Sequence, residues 1–172
     1  DRYGLNYTIV RYGSLYGRRA DASNMIHHMV RDALNKNKIF YPGDGDATRE
    51  YIHVADAANL SVEILKPEHA NRHLVLTGIE RMKVSDVMNM IAEIAPGNIK
   101  LEIAADPGQM HGSHYVITPY DFKPRIGHKL VATDFVDLGQ GLLDCFNEAQ
   151  EESGNSSMPE SEIALNSSRS SD

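Results

Sequence analysis

The feature that most constrains this chain is its switching hydrophobic period. Short β-branched runs alternate with apolar stripes at helical spacing, again and again along the first 150 residues. Residues 6–17, "NYTIVRYGSLYG", read as a strand that turns at Gly17. Residues 22–37 place Met25, Met29 and Ala33 on one stripe, with Ile26, Val30 and Leu34 beside it. That is helix spacing, and Asp21 or Ser23 is the expected cap. "KIFY" (38–41) and "REYIHV" (49–54) read as strands, and 55–66 as a helix with Leu60 and Ile64 inward. "HLVLTG" (73–78) is a further strand. Residues 84–95 bury Val84, Val87, Met88, Ile91 and Ile94 and stop at Pro96-Gly97. "NIKLEIA" alternates, with Ile99, Leu101 and Ile103 on one face. Residues 134–150 close with a helix whose start carries two glycines. Alternating strands and helices of this length predict an α/β domain with parallel pairing.

Composition narrows the function classes. The chain has 172 residues, enough for one domain with a sizeable core. Its 24 acids outnumber 17 bases, for a formal charge of −7, which argues against a nucleic-acid-binding face. No apolar run approaches the roughly 18 residues of a membrane span, and no signal-peptide pattern opens the chain. Cys145 is the one cysteine, so no internal disulfide forms, which fits a reducing cytoplasm. It sits in the apolar run "GLLDCFNEA" and reads as a buried thiol rather than a nucleophile. Residues 151–172 hold eight serines, no aromatics and five acids against one base. That composition predicts a disordered, Ser-rich acidic tail behind a folded part at 1–150.

Two segments carry candidate chemistry. In "GDGDATRE" the glycines permit a sharp turn, and Arg49 then opens a strand whose pleat fixes its direction. A guanidinium offers a planar fork of donors that suits phosphate. The plainer reading of Arg49 is a solvated charge or a salt bridge to Glu50 or Asp56, and spacing alone favours it. In "RYGSLYGRR" (11–19) a strand end breaks into small residues, as at the carboxyl ends of strands where open α/β folds bind ligands. A simple strand-to-loop junction is the plainer reading, and the segment alone favours it. His27 and His28 point apart on a helix, and "HGSH" (His111, His114) lacks supporting ligands, so no metal site is expected. No P-loop, Gly-rich dinucleotide fingerprint, CxxC pair, nucleophile elbow or Tyr-x-x-x-Lys occurs.

Taken together, "TIVRYGSLYGRR" and "GDGDATREYIHVADAA" resemble the extended short-chain dehydrogenase/reductase family of nucleotide-sugar epimerases and dehydratases. The first looks like that family's R-[YF]-x-N-x-Y-G-P-R, the second like its G-D-G-x-x-x-R-D-[FW]-[IV]-H-V-x-D-x-A. "PGQMHGSHY", "DFKPRIGHKL" and "GQGLLDCF" are similar to its C-terminal portion, more loosely. The resemblance spans about residues 1–150. It implies a Rossmann-type α/β fold, of which this chain is the C-terminal, substrate-binding portion. It also implies an NAD or NADP cofactor, a nucleotide-sugar substrate and a homodimeric parent enzyme. The parent's reaction would begin with hydride transfer from a sugar carbon to the cofactor.

By the same resemblance, the family's cofactor loop and catalytic Tyr-x-x-x-Lys would lie before Asp1, so no catalytic residue is assigned here. The chain alone is expected to be inactive. Arg49 would contact the substrate diphosphate, and Tyr12 would line the nicotinamide end of the cofactor site. Ser14 stands where the family often has an Asn that contacts the substrate phosphate, and Tyr41 where a residue packs near the nucleotide base. Gln109, in "DPGQ", stands where many epimerases carry "RPGD", so nucleotide recognition is expected to differ. Ser14 for Asn, Arg18 for Pro and Ala55 for an acid are further departures. A non-catalytic nucleotide- or sugar-diphosphate-binding module, or a structural remnant, are the alternatives to an enzyme portion. Residues 6–12 are expected to lack a parallel neighbour, supplied from upstream, and so to expose an edge that favours self-association.

Overall fold

A computed structural model describes residues 3–79, 81–104 and 127–156. The first strand, β1 (Thr8–Tyr12), pairs in parallel with β5 (Arg72–Leu76), and β5 pairs in parallel with β8 (His128–Leu130). The parallel partner of β1 therefore comes from downstream in the chain, which corrects the expectation of an upstream one. Its other edge has no strand partner among the described residues. The expected single strand at 6–17 is two strands. At Gly13 the backbone leaves the first sheet, with its N–H donating to Leu76 O at 2.8 Å, and β2 (Ser14–Tyr16) joins a second. There β2 runs parallel to β4 (Thr48–His53), which runs antiparallel to β6 (Arg81–Lys83). A third, two-stranded sheet pairs β3 (Lys38–Tyr41) in parallel with β7 (Lys100–Ile103).

Helix α1 (Met25–Lys36) buries Ile26, Met29, Val30 and Ala33, the stripe its spacing predicts. Its cap is neither Asp21 nor Ser23. Asn24 Oδ1 accepts from His27 N at 3.2 Å, and Asp21 instead accepts from Ser23 N and Oγ. Helix α2 is Val54–Glu63, with a single 3-10 turn at Pro67–His69 beyond it. Helix α3 (Val84–Ile94) buries Val84, Val87, Met88 and Ile91, and Ile94 is half-buried. No side chain caps α3. Its first amides instead donate to backbone carbonyls of the turn before β4, Val84 N to Ala47 O and Ser85 N to Gly45 O. Helix α4 runs Leu138–Ser156, so it continues past residue 150 into the segment read as a tail. Residues 157–172 lie outside the described residues.

β4 separates two cores. Tyr51 packs with Tyr16, Tyr41, α1, α3 and α4, whereas Ile52 faces Leu60, Leu74 and Leu76 on the side of α2. Opposite directions for neighbouring residues follow from the period-2 pleat. Cys145 is buried in the larger core, as its apolar run predicts, and burial pushes its thiol up to about 11. Among the described residues no helix is long and apolar enough to cross a membrane.

Candidate functional site

The Gly-Asp-Gly turn and the start of β4 build the site. Gly43 N donates to Tyr41 O at 3.1 Å, closing the chain tightly after β3. A Cβ at Gly43 would stand 2.9 Å from Tyr41 Cε1, so the turn lies directly on that ring. Asp44 Oδ1 then accepts from Asp46 N at 2.9 Å, and Lys83 Nζ holds Asp46 at 2.8 Å. Arg49 follows as the second residue of β4, half-buried and paired in register with Met82.

Arg49 Nη2 donates to Tyr41 Oη at 3.3 Å, and Arg49 Nε is buried without a hydrogen-bond partner. The two carboxylates considered from sequence are engaged elsewhere. Glu50 pairs with Lys129 at 3.3 Å and Arg81 at 3.8 Å, while Asp56 Oδ2 accepts from Val136 N at 3.0 Å. Among the described residues no carboxylate ion-pairs with Arg49. A half-buried guanidinium facing phenols is an unneutralised cation, and such a group favours an anionic partner.

Tyr51 lies two residues on, on the same face of the strand. Its hydroxyl is buried and unpartnered, and burial pushes its pKa up to about 12, with the Arg49 charge pulling the other way. The phenol therefore stays protonated and offers only a neutral donor near the cation.

Of the residues singled out by sequence, Ser14 is brought to this face: it opens β2 and pairs in register with Tyr51. Tyr41 reaches the site from β3. Tyr12 does not. Its phenol meets Ser61 Oγ at 2.7 Å, and Ser61 in turn donates to Ala57 O, so Tyr12 donates and lies against α2 on the side of the smaller core. Gln109 lies outside the described residues, as do His111 and His114.

Sequence reasoning missed a group at the far end of β4 from Arg49. Tyr16 and His53 stack edge-on, 5.3 Å between centroids, both nearly fully buried. His53 caps α2: its Nδ1 accepts from Ala55 N at 3.3 Å, which puts the ring proton on Nε2, a buried atom without a partner. Gly17, at φ 127°, fits against that ring, and a Cβ there would come 2.9 Å from Nε2. Tyr16, Tyr51, His53, Asp56 and Phe135 line a cavity of about 30 Å³, room for a water molecule and not for a nucleotide. A more open groove of about 510 Å³ runs from α2 to residues 133–136. It is lined by two carboxylates, Asp56 and Asp134, and by no cation, so it does not suit an anion. The only available signal for the Tyr16–His53 pair was period-2 spacing, which sets the face but not what it meets.

Comparison with known proteins gives a consistent picture. Residues 1–76 match the family described as "NAD dependent epimerase/dehydratase family". The chain is 30% identical over 102 residues to a UDP-N-acetyl-alpha-D-glucosaminuronate decarboxylase of Bacillus cytotoxicus, covering 57% of this chain and 32% of that protein. It is 24% identical over 110 residues to the UDP-glucose epimerase YtcB of Bacillus subtilis, itself described as uncharacterized, covering 61% of this chain and 35% of that protein. Its fold superimposes on the UDP-glucuronic acid 4-epimerase of Bacillus cereus, solved with UDP-glucuronic acid and NAD, with a TM-score of 0.63 at 18% identity. That match covers 84% of this chain and 45% of the other. A UDP-glucose 4-epimerase of Thermotoga maritima, solved with UDP-glucose, gives 0.62 at 17% identity, covering 87% and 48%. These structures share the Rossmann-type α/β fold. The chain spans about a third of the length of the curated relatives it matches.

Proposed function

We propose that this chain, whose residues 1–76 match the NAD dependent epimerase/dehydratase family, supplies the nucleotide-sugar-binding side of such an enzyme. Arg49 is its diphosphate anchor. One observation carries the reading: a half-buried guanidinium, held by a tyrosine and matched by no carboxylate among the described residues. The relatives supply the class of ligand, since two of the similar folds were solved with a UDP-sugar.

The chemistry assigned to these residues is binding and orientation. Arg49 gives two or more charge-assisted hydrogen bonds to the diphosphate, and Ser14, on the same face, supplies a short hydroxyl alongside. Fixing the diphosphate sets where the attached sugar reaches, which is how a remote anchor contributes to a reaction elsewhere. A nicotinamide cofactor, when bound, supplies hydride transfer. Tyr12, expected to line its site, gives its phenol proton to Ser61, and no other described residue is assigned to the cofactor. No step through the cofactor is therefore derived from this chain.

The test is calorimetric titration of the chain with UDP, comparing Arg49→Ala with the unmodified protein. A charge-assisted hydrogen bond contributes about 1.5–3 kcal/mol, so affinity is expected to fall about 10- to 150-fold. Equal affinity in the two proteins, or no UDP binding by either at millimolar ligand, would refute the assignment.

A further inference from the structure

Tyr41 was expected to pack near the nucleotide base. Its surroundings give it another task. Its backbone is pinned twice, because Tyr41 O accepts from both Gly43 N and Ala104 N at 3.1 Å. Its ring is buried, with 6% exposure, and Gly43 closes over it so tightly that a Cβ there would lie 2.9 to 3.1 Å from Cε1, Cζ and Oη. A ring confined in this way cannot swing to follow a ligand. Its one polar atom receives Arg49 Nη2.

The guanidinium has two edges that can grip an anion with paired donors. One is the Nε–Nη2 side, the other the Nη1–Nη2 end. The side edge is closed here: Nε is buried and Nη2 already gives one N–H to the phenol. We infer that Tyr41 is a positioning residue that acts through Arg49, holding the guanidinium so that its Nη1–Nη2 end meets the anion. The Gly-Asp-Gly turn contributes by wedging the phenol in place. This rests on the reading of Arg49 as diphosphate anchor. It moves Tyr41 from a base contact to the support of the phosphate contact.

The experiment uses the full chain with Tyr41→Phe, which keeps the ring against Gly43 and removes only the hydroxyl. Rotation of the Arg49 guanidinium about its Nε–Cζ bond is read by ¹⁵N exchange spectroscopy without ligand, and UDP affinity by calorimetry. Loss of one hydrogen bond is expected to speed the rotation about two- to tenfold and to weaken UDP binding by a similar factor, less than Arg49→Ala does. Gly43→Ala, which keeps the hydroxyl but displaces the ring that carries it, is expected to speed the rotation too. An unchanged rotation rate in Tyr41→Phe overturns the inference whatever UDP does. Unchanged UDP affinity in Tyr41→Phe, where Arg49→Ala weakens binding, also overturns it. Unchanged affinity in Arg49→Ala overturns the anchor reading itself, so the two failures are distinguishable.

Discussion

Gly141→Ala tests whether the packing behind the site is as close as it looks. In an ordinary helix this change helps, because alanine is favoured over glycine by about 1 kcal/mol. Gly141 sits inside α4 with its N–H donating to Asp137 O at 2.9 Å, so the helical gain applies. Against it stands Tyr16. A Cβ at Gly141 would lie 2.5 Å from Tyr16 Oη, 2.7 Å from Cε2 and 2.9 Å from Cζ. Tyr16 is 3% exposed and stacked on His53, so its ring has no free direction in which to retreat. Overpacking of a closed core costs about 1–3 kcal/mol, and three close ring atoms place this case in the upper half. The net is a loss of about 1–2 kcal/mol. For a chain of this size that lowers the thermal midpoint by about 2–8 °C. Circular-dichroism melts measure it, and a double-mutant cycle isolates the cause. In a Tyr16→Leu background the clash is gone, and Gly141→Ala is expected to stabilise by up to about 1 kcal/mol. A single mutant as stable as the parent, or additive effects in the cycle, would show that Tyr16 does not press on α4.

Three further outcomes follow from local geometry. Asn24→Ala removes the side-chain acceptor at the start of α1 and is expected to cost about 1 kcal/mol in urea unfolding, whereas Ser23→Ala stays within about 0.5. Glu102 is hydrogen-bonded by Lys100 at 2.8 Å and Lys38 at 2.5 Å, which pulls its pKa down from 4.5 to about 2. Its folded pKa is depressed, so its contribution is complete above about pH 4.5 and is lost as pH falls towards 2. A carboxyl NMR titration should show that low midpoint, and Lys100→Met should raise it. A spectrophotometric titration of the chain minus that of Tyr51→Phe should isolate a phenol ionising near pH 12, and a component near 10 would contradict the burial of Tyr51.

The elements legible in the sequence were those whose period is set by their own burial. The stripes of α1 and α3 needed only a core on one side, and they fold as their spacing says. β6 and β8 were not legible, because three residues in each, Arg81–Lys83 and His128–Leu130, are too short to show any alternation. The cap of α1 was misjudged because Asp21, Ser23 and Asn24 are all good caps, and only the phase of the first turn chooses between them. The break at Gly13 and the glycine at 141 have a shared cause of a different kind. A Cβ at Gly13 would lie 2.6 Å from Glu50 O and Thr77 Oγ1, and one at Gly78 would overlap the Tyr51 carbonyl oxygen. These glycines are required by chain that lies 37 residues away for Gly13 and Glu50, 27 for Gly78 and Tyr51, and 125 for Gly141 and Tyr16, so local pattern reads them only as weak helix or strand residues.

The same distinction explains the site. Arg49 was visible as a cation at a turn, and the family motif around it gave it a role. Whether it was neutralised depended on Glu50 and Asp56, and their partners, Lys129, Arg81 and Val136, come from β8, β6 and the approach to α4. Pairing of β4 with β6 and of β5 with β8 draws those partners in, and that leaves Arg49 to Tyr41. The proposed anion site depends on both neighbouring acids being kept from Arg49, Glu50 by the pleat and Asp56 by its bond from Val136 N. Glu50 freed by Arg81→Ala together with Lys129→Ala would compete with UDP for Arg49 only if its side chain could cross the sheet. The pleat forbids this, since residues 49 and 50 face opposite sides, so the double variant should bind UDP as the parent does. A large loss of affinity in that variant would mean that strand β4 does not hold its register, and the separation of the two cores at Tyr51 and Ile52 would be wrong with it.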